Sequence, residues 1–151
     1  MKPKFQKLYN NIAHEVAKMS HARRLQVGAV IVKDDRVISM GYNGMPAGWD
    51  NNCESEETEF NLVTKTRTGT GKLTTRPEVL HAESNAIAKL AKSNDSGDGA
   101  DIFVTHAPCM ECAKLIFQSG ISSVYYSQDY RDDAGIKFLK ISGVEVIKHD
   151  E

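Results

Sequence analysis

Apolar residues recur at steps of three and four near the start of the chain, as Phe5, Leu8, Ile12, Val16 and Met19. That is the spacing of one face of an amphipathic helix, and Ser20 and His21 follow it as polar punctuation. The pattern then changes. Residues 27–32 (VGAVIV) form an unbroken apolar run rich in β-branched side chains. Such a run reads as a strand covered on both faces, since a half-solvated strand would alternate. A polar turn at residues 33–36 leads into a second short strand at residues 37–40, so the two read as a hairpin. Residues 41–48 (GYNGMPAG) are too rich in Gly, Asn and Pro to be anything but loop. Periodicity is weak from Asp50 to about Leu80, where an acidic stretch (Glu54, Glu56, Glu57, Glu59) precedes the segment KTRTGTGKLTTR. This length exceeds the ~12–15 residues usual in structureless loops, so the segment reads as functional or mobile, with a short helix near residues 56–64 as one option.

Helical spacing returns at His81, with Ala82, Ala86, Ile87, Leu90 and Ala91 on one face. A Gly/Asp/Ser loop at residues 93–100 leads to a strand at 102–105, and Pro108-Cys109 opens a helix running to about Ser119. A strand at 124–126, a helix at 132–141 and a strand at 144–147 complete the order αββ followed by repeated αβ. Single strands alternating with helices predict a sheet whose later part is parallel, with helices packed on its faces. The 151 residues read as a single domain over the whole chain, long enough to bury a core without disulfide staples. Nineteen Lys+Arg against twenty Asp+Glu give a net charge of −1, which argues against a nucleic-acid partner because polynucleotide binders carry a basic stripe. No apolar run approaches the ~18 residues of a membrane span, and no apolar segment follows the basic N-terminus as a secretory signal would require. A cytoplasmic location, cellular or in a virus-infected host, is therefore expected. The three cysteines cannot pair completely, and two stand as Cys-x-x-Cys, which favours an intracellular metal or redox site over a disulfide scaffold.

The strongest chemical signal is His81-Ala82-Glu83 taken with Pro108-Cys109-Met110-Glu111-Cys112. Together they supply one imidazole, two thiolates and one carboxylate, each half at an expected helix start. A catalytic zinc takes three N and S ligands and keeps the fourth position for water. His81, Cys109 and Cys112 make three, and no second Cys-x-x-Cys is available to close a four-cysteine structural site. Helix starts carry partial positive charge, which favours thiolate over thiol. Zinc lowers the pKa of bound water from about 15.7 to about 7. Glu83, two residues past the histidine, is placed to shuttle that proton as a general acid and base. A thioredoxin-like redox pair, a closed structural zinc site and coincidence are the competing readings, and catalytic zinc outweighs them.

The H-x-E…P-C-x-x-C pattern is similar to the signature of zinc-dependent nucleoside and nucleobase deaminases, which replace the amino group at C4 of cytosine or C6 of adenine. Finer features resemble the deoxycytidylate (dCMP) deaminases. These are Ser20-x-Ala22-x-Arg24-x-x-Val27-Gly28-Ala29, the Gly41-Tyr42-Asn43-Gly44-x-Pro46-x-Gly48 loop, His81-Ala82-Glu83-x-Asn85-Ala86-Ile87, Val104-Thr105-x-x-Pro108-Cys109-x-x-Cys112-Ala113-Lys114, and Tyr130-Arg131. The match spans roughly residues 5–147, and the G-Y-N-G-x-P-x-G loop discriminates, because simple cytidine deaminases and tRNA adenosine deaminases lack it as a unit. The resemblance implies an α/β, cytidine-deaminase-like three-layer fold: a five-stranded mixed sheet with helices on both faces, and the two zinc-binding helices side by side.

It also implies hydrolysis of dCMP to dUMP and ammonia, supplying thymidylate synthesis, with one Zn2+ per chain held by His81, Cys109 and Cys112 and with Glu83 as general acid/base. Arg24 would face the 5′-phosphate, where a guanidinium fork suits the anion; its bland alternative is a surface ion pair. Asn43 would bind the sugar 3′-hydroxyl or the phosphate edge, against a mere turn role. Ala82 would offer its backbone N–H to the pyrimidine O2, and Thr105 and His106 would lie beside the site. Tyr130 would close over the sugar-phosphate end with Arg131 as a neighbouring gate, against an ordinary half-buried aromatic. The resemblance further implies a homo-oligomer, a hexamer by preference, activated by dCTP with Mg2+ and inhibited by dTTP. Gly44, Met45, Pro46, Ala47 and Gly48 would form part of the effector site, because a Gly-rich loop exposes backbone N–H groups to phosphates. Departures from the family pattern are Ala22 where cysteine is frequent, His106 where Leu or Ser is usual, and Cys53 with no cysteine partner. The rival readings are a deaminase of cytidine, guanine or a tRNA adenosine, and a non-catalytic zinc module that senses deoxynucleoside triphosphates.

Overall fold

The apolar run at residues 27–32 lies in a strand that is covered on both faces, as its composition requires. In the computed structural model, which describes residues 1–149, the elements are α1 (Pro3–Ala17), β1 (Gly28–Lys33), β2 (Arg36–Tyr42), β3 (Glu54–Asn61), β4 (Thr66–Thr75), α2 (Ala82–Ala91), β5 (Asp101–His106), α3 (Met110–Gln118), β6 (Ser123–Gln128), α4 (Ala134–Ile141) and β7 (Glu145–Lys148). Five strands form one sheet in the order β2-β1-β5-β6-β7. Strand β1 runs antiparallel to both β2 and β5, while β5, β6 and β7 are parallel. The later part of the sheet is thus parallel, as the alternation of strands and helices predicts.

Alternate side chains of the sheet feed two cores. Val30, Val32, Phe103 and Tyr125 point to the face covered by α1, through Tyr9, Ala13 and Val16. The Phe103 and Tyr125 rings stack there at 4.4 Å between centroids. Ala29, Ile31, Ile102, Val104 and Val124 point to the other face, which Ala82, Ala86 and Leu90 of α2, Ala113 and Ile116 of α3, and Leu139 of α4 cover. The result is a three-layer α/β arrangement with a mixed five-stranded sheet, and both helices that begin at the candidate metal ligands lie on the same side of it. Phe103 is wholly buried, and trimming such a ring to alanine costs about 3–5 kcal/mol.

Residues 50–80 depart from the sequence reading. The option of a helix near residues 56–64 is wrong: β3 and β4 form a separate antiparallel hairpin, closed by a turn in which Lys65 has φ of 55°. Periodicity was a poor guide because seven of the eight β3 residues are exposed, so no face is selected for apolar residues. What holds the strands is cross-strand pairing in a threonine-rich partner, with a register shift between Glu56 and Thr58.

Candidate metal centre

Two helix N-termini meet at one end of the sheet. His81 caps α2 and Cys109 caps α3, both in extended backbone and neither with a side-chain capping bond. The unpaired N–H groups of both first turns therefore face the same region. Close packing sets their position. Gly41 of β2 lies so near α2 that a Cβ there would sit 2.5 Å from the Ala82 carbonyl oxygen and 2.7 Å from the Ala86 nitrogen. On the other side a Cβ at Gly135 of α4 would lie 2.2 Å from the Pro108 carbonyl oxygen.

His81 Nδ1 lies 3.5 Å from Cys109 Sγ and 3.3 Å from Cys112 Sγ. All three donor atoms lie within 4.8 Å of one another. Tetrahedral zinc, with bonds of about 2.0–2.1 Å to nitrogen and about 2.3 Å to sulfur, sets such pairs about 3.6 Å apart. One imidazole and two sulfurs at these spacings fit that ion. The protonation pattern agrees with a site made for a cation. Hydrogen bonds from Cys112 and His81 pull the Cys109 thiol to about 3, whereas its bond to Cys109, followed by burial, pushes Cys112 up. The His81 ring is raised chiefly by its bond to Cys109. Both thiols must lose their protons to hold a divalent cation, so metal binding by this group depends on pH.

Glu83, one residue into α2, is 4% exposed and lies outside that donor group. Burial is the largest cause that raises its carboxyl above the usual range, which suits a group that must both take and give a proton near neutrality. A cavity of about 640 Å³ opens onto these groups. Its lining includes His81, Ala82, Glu83 and Cys109, together with Arg24, Asn43, Glu54 and Thr75 and with His106, Gln128, Asp129, Tyr130 and Arg131. It lies at the C-terminal ends of β5 and β6, where β5 is flanked by β1 on one side and β6 on the other, the usual ligand position in an α/β sheet.

The sequence-derived candidates divide on inspection. Arg24, Asn43, Ala82, Tyr130 and Arg131 all line the cavity. Among the described residues no carboxylate pairs with Arg24, whose guanidinium instead bonds Thr75 Oγ1 at 3.0 Å. Arg131 lies over the Tyr130 ring at 5.5 Å. Asn43 has a structural duty as well: its Oδ1 accepts the Val27 N–H at 2.8 Å and its Nδ2 donates to the Leu25 carbonyl at 2.7 Å. Thr105 is not on the cavity wall. It is 1% exposed, and its hydroxyl accepts the Gly28 N–H and bonds His106 Nδ1. It therefore orients His106, which does line the cavity and whose pKa is lowered by burial and then by the His14 charge. The Gly44–Gly48 loop lies off this cavity. Gly44 is tied to Leu80 by a reciprocal pair of backbone bonds, so its N–H is not free for a phosphate. Glu54, Thr75, Gln128 and Asp129 line the site with no motif to announce them. Only the acidic run around Glu54 could have drawn attention.

The model of the cytidine and deoxycytidylate deaminase zinc-binding region matches residues 3–128. ComE operon protein 2 of Bacillus subtilis is 42% identical over 119 residues, 79% of this chain and 57% of that protein. The chain thus spans little more than half the length of that relative. The deoxycytidylate deaminase of Enterobacteria phage T4 is 34% identical over 164 aligned positions, covering 89% of this chain and 84% of that one. The crystal structure of the dCMP deaminase of cyanophage S-TIM5 in complex with dCMP and dUMP superposes with a TM-score of 0.84 at 39% identity, over 99% of each chain.

Proposed function

The chain belongs to the cytidine and deoxycytidylate deaminase family, and from that premise we propose that it hydrolyses dCMP to dUMP and ammonia. The observation that carries this reading is a single cavity that joins the His81, Cys109 and Cys112 donors and the buried Glu83 to two guanidinium groups with no carboxylate partner among the described residues. A nucleobase alone would not need Arg24 and Arg131, whereas a 5′-phosphate is matched by guanidinium forks. The deoxycytidylate deaminases among its relatives, and the neighbour with dCMP and dUMP bound, support the same substrate.

In this reading His81, Cys109 and Cys112 hold one zinc ion per chain. When bound, zinc supplies a water activated at neutral pH. Glu83 accepts one proton of the attacking water and delivers it to the ring nitrogen N3; it then takes the proton of the new C4 hydroxyl and passes it to the 4-amino group, so that the C4–N bond breaks as the C4 carbonyl forms. Ammonia leaves, and no oxidant or second substrate is needed. Ala82 presents its helix-start N–H to the pyrimidine O2, Arg24 and Arg131 take the phosphate, and Tyr130 covers the sugar. Asn43 meets the sugar while bracing the loop at residues 25–27.

The proposal includes dCTP with Mg2+ as activator, dTTP as inhibitor, assembly into a homo-oligomer, and delivery of dUMP to thymidylate synthesis. Since the Gly44 N–H is bonded to Leu80 and Pro46 has no N–H, effector phosphates in this loop would meet the N–H groups of Met45, Ala47 and Gly48. Loss of dCMP absorbance, followed with and without dCTP and alongside cytidine and adenosine, tests the reading. Turnover of dCMP above that of either nucleoside, accelerated by dCTP, is expected. A preference for cytidine would overturn the substrate assignment, and no turnover with bound dCTP would leave the sensing module in its place.

A further inference from the structure

The β3–β4 hairpin packs mainly on itself, yet its base reaches the nucleotide cavity. Its first and last residues, Glu54 and Thr75, face each other in register, and both line the cavity. Glu54 is 1% exposed, an uncommon place for a carboxylate. Its Oε1 accepts two consecutive backbone N–H groups, from Arg23 at 2.6 Å and Arg24 at 3.0 Å. Among the described residues its Oε2 has no hydrogen-bond partner, and the Arg23 guanidinium lies 3.6 Å from it. A buried charge kept with one oxygen unsatisfied calls for a reason. Across the hairpin, Thr75 Oγ1 holds the other end of the same residue, the Arg24 guanidinium. Arg76 stiffens this base: its N–H bonds the Cys53 carbonyl, and its guanidinium holds Asp50 and the Asn52 carbonyl.

We propose that Glu54 and Thr75 are positioning residues that clasp Arg24 at both ends, the main chain by the carboxylate and the guanidinium by the hydroxyl, so that it meets the nucleotide phosphate already aligned. This rests on Arg24 as the phosphate anchor. An arginine is a long, rotamer-rich side chain, and fixing it before the ligand arrives removes an ordering cost from binding. One of its five N–H donors goes to Thr75, and the rest remain for an anion. The clasp acts on affinity and not on the proton transfers at Glu83. The hairpin base is thereby part of the nucleotide site.

Steady-state kinetics on dCMP with the zinc-loaded full chain test this, comparing Thr75→Val, Thr75→Ser, Glu54→Ala and Arg24→Ala, each with its zinc content measured. Thr75→Val and Glu54→Ala should raise KM about tenfold with kcat within twofold, and Thr75→Ser should restore the KM. Thr75 is exposed, so its variants keep the question open to measurement even where a Glu54 variant fails to fold. An unchanged KM in Thr75→Val and Glu54→Ala beside a raised KM in Arg24→Ala would overturn the clasp and leave the phosphate anchor standing. An unchanged KM in Arg24→Ala would overturn the anchor itself. Loss of zinc with a parallel fall in kcat would reduce both residues to structural supports and overturn the proposal.

Discussion

Strand β1 buries five of its six residues, whereas β3, two residues longer, exposes seven of eight. The first strand is held by side chains packed on both faces, the second by cross-strand pairing and, at Glu54, by the Arg23 and Arg24 N–H groups. Strand β3 reaches the cavity through Glu54, whereas β1 packs behind α2 and its residues do not line the cavity. Rigid packing between helices and sheet supports the metal donors and Glu83, where tenths of an ångström decide coordination and proton transfer. The hairpin touches the cavity through its base, where Thr75 bonds the Arg24 guanidinium, the group that our proposal sets against the substrate phosphate. The difference shows that burial is concentrated where the reaction demands fixed geometry, and that an exposed appendage can contribute through its two terminal residues.

The contrast is sharpest at Glu83. Glu83→Gln keeps the zinc donors and the nucleotide contacts, so it should retain zinc and bind dCMP while kcat falls by at least about a hundredfold, the lower range for a general acid or base. A quench-flow or ultraviolet assay with parallel metal analysis checks this, and retained turnover would break the assignment of chemistry to the packed region. Gly41→Ala probes the same region through packing. Its Cβ would meet Ala82 and Ala86 backbone atoms at 2.5 and 2.7 Å, so α2 must move. Overpacking of this kind costs about 1–3 kcal/mol, to be read from urea unfolding, and zinc retention should weaken with it.

A smaller effect is expected at His106, whose pKa burial, then the His14 charge, holds below the ordinary 6.5. As pH falls below about 6.5 the unfolded chain takes up this proton before the folded chain does, so stability present above that pH is lost as pH drops through the folded value. His106→Gln should flatten the acid side of the stability profile relative to the parent, measured as urea midpoints between about pH 7.5 and about pH 5.5. The smallest effect is expected at the hairpin tip. Leu62 and Val63 are 82% and 92% exposed, and replacing both by serine should change unfolding free energy by less than about 0.5 kcal/mol. A large loss there would mean that the hairpin shares the core's cooperativity, and the comparison would fail.

Much of the fold was legible because its signals are local. The helical spacing from Phe5 to Val16, the apolar run of β1 and each helix or strand of the alternation after residue 81 lie within about fifteen neighbouring residues, and the structure has an element at every one of them. The hairpin was not legible, since an exposed strand carries no hydrophobic period. Thr105 and His106 stand together at the strand end as the sequence reading has them, but strand alternation turns the Thr105 hydroxyl inward to the Gly28 N–H and leaves the cavity wall to His106.

His81, Glu83, Cys109 and Cys112 could be singled out from the chain alone, because donor chemistry and spacing at helix starts are written in consecutive residues. That Glu54 holds the Arg24 backbone across 30 positions, that Thr75 holds its guanidinium across 51, and that glycines at 41 and 135 let helices close on the donors were decided only by the folded packing. Contacts between distant segments leave no periodic mark on a sequence. They exist once burial and strand register have brought the segments together.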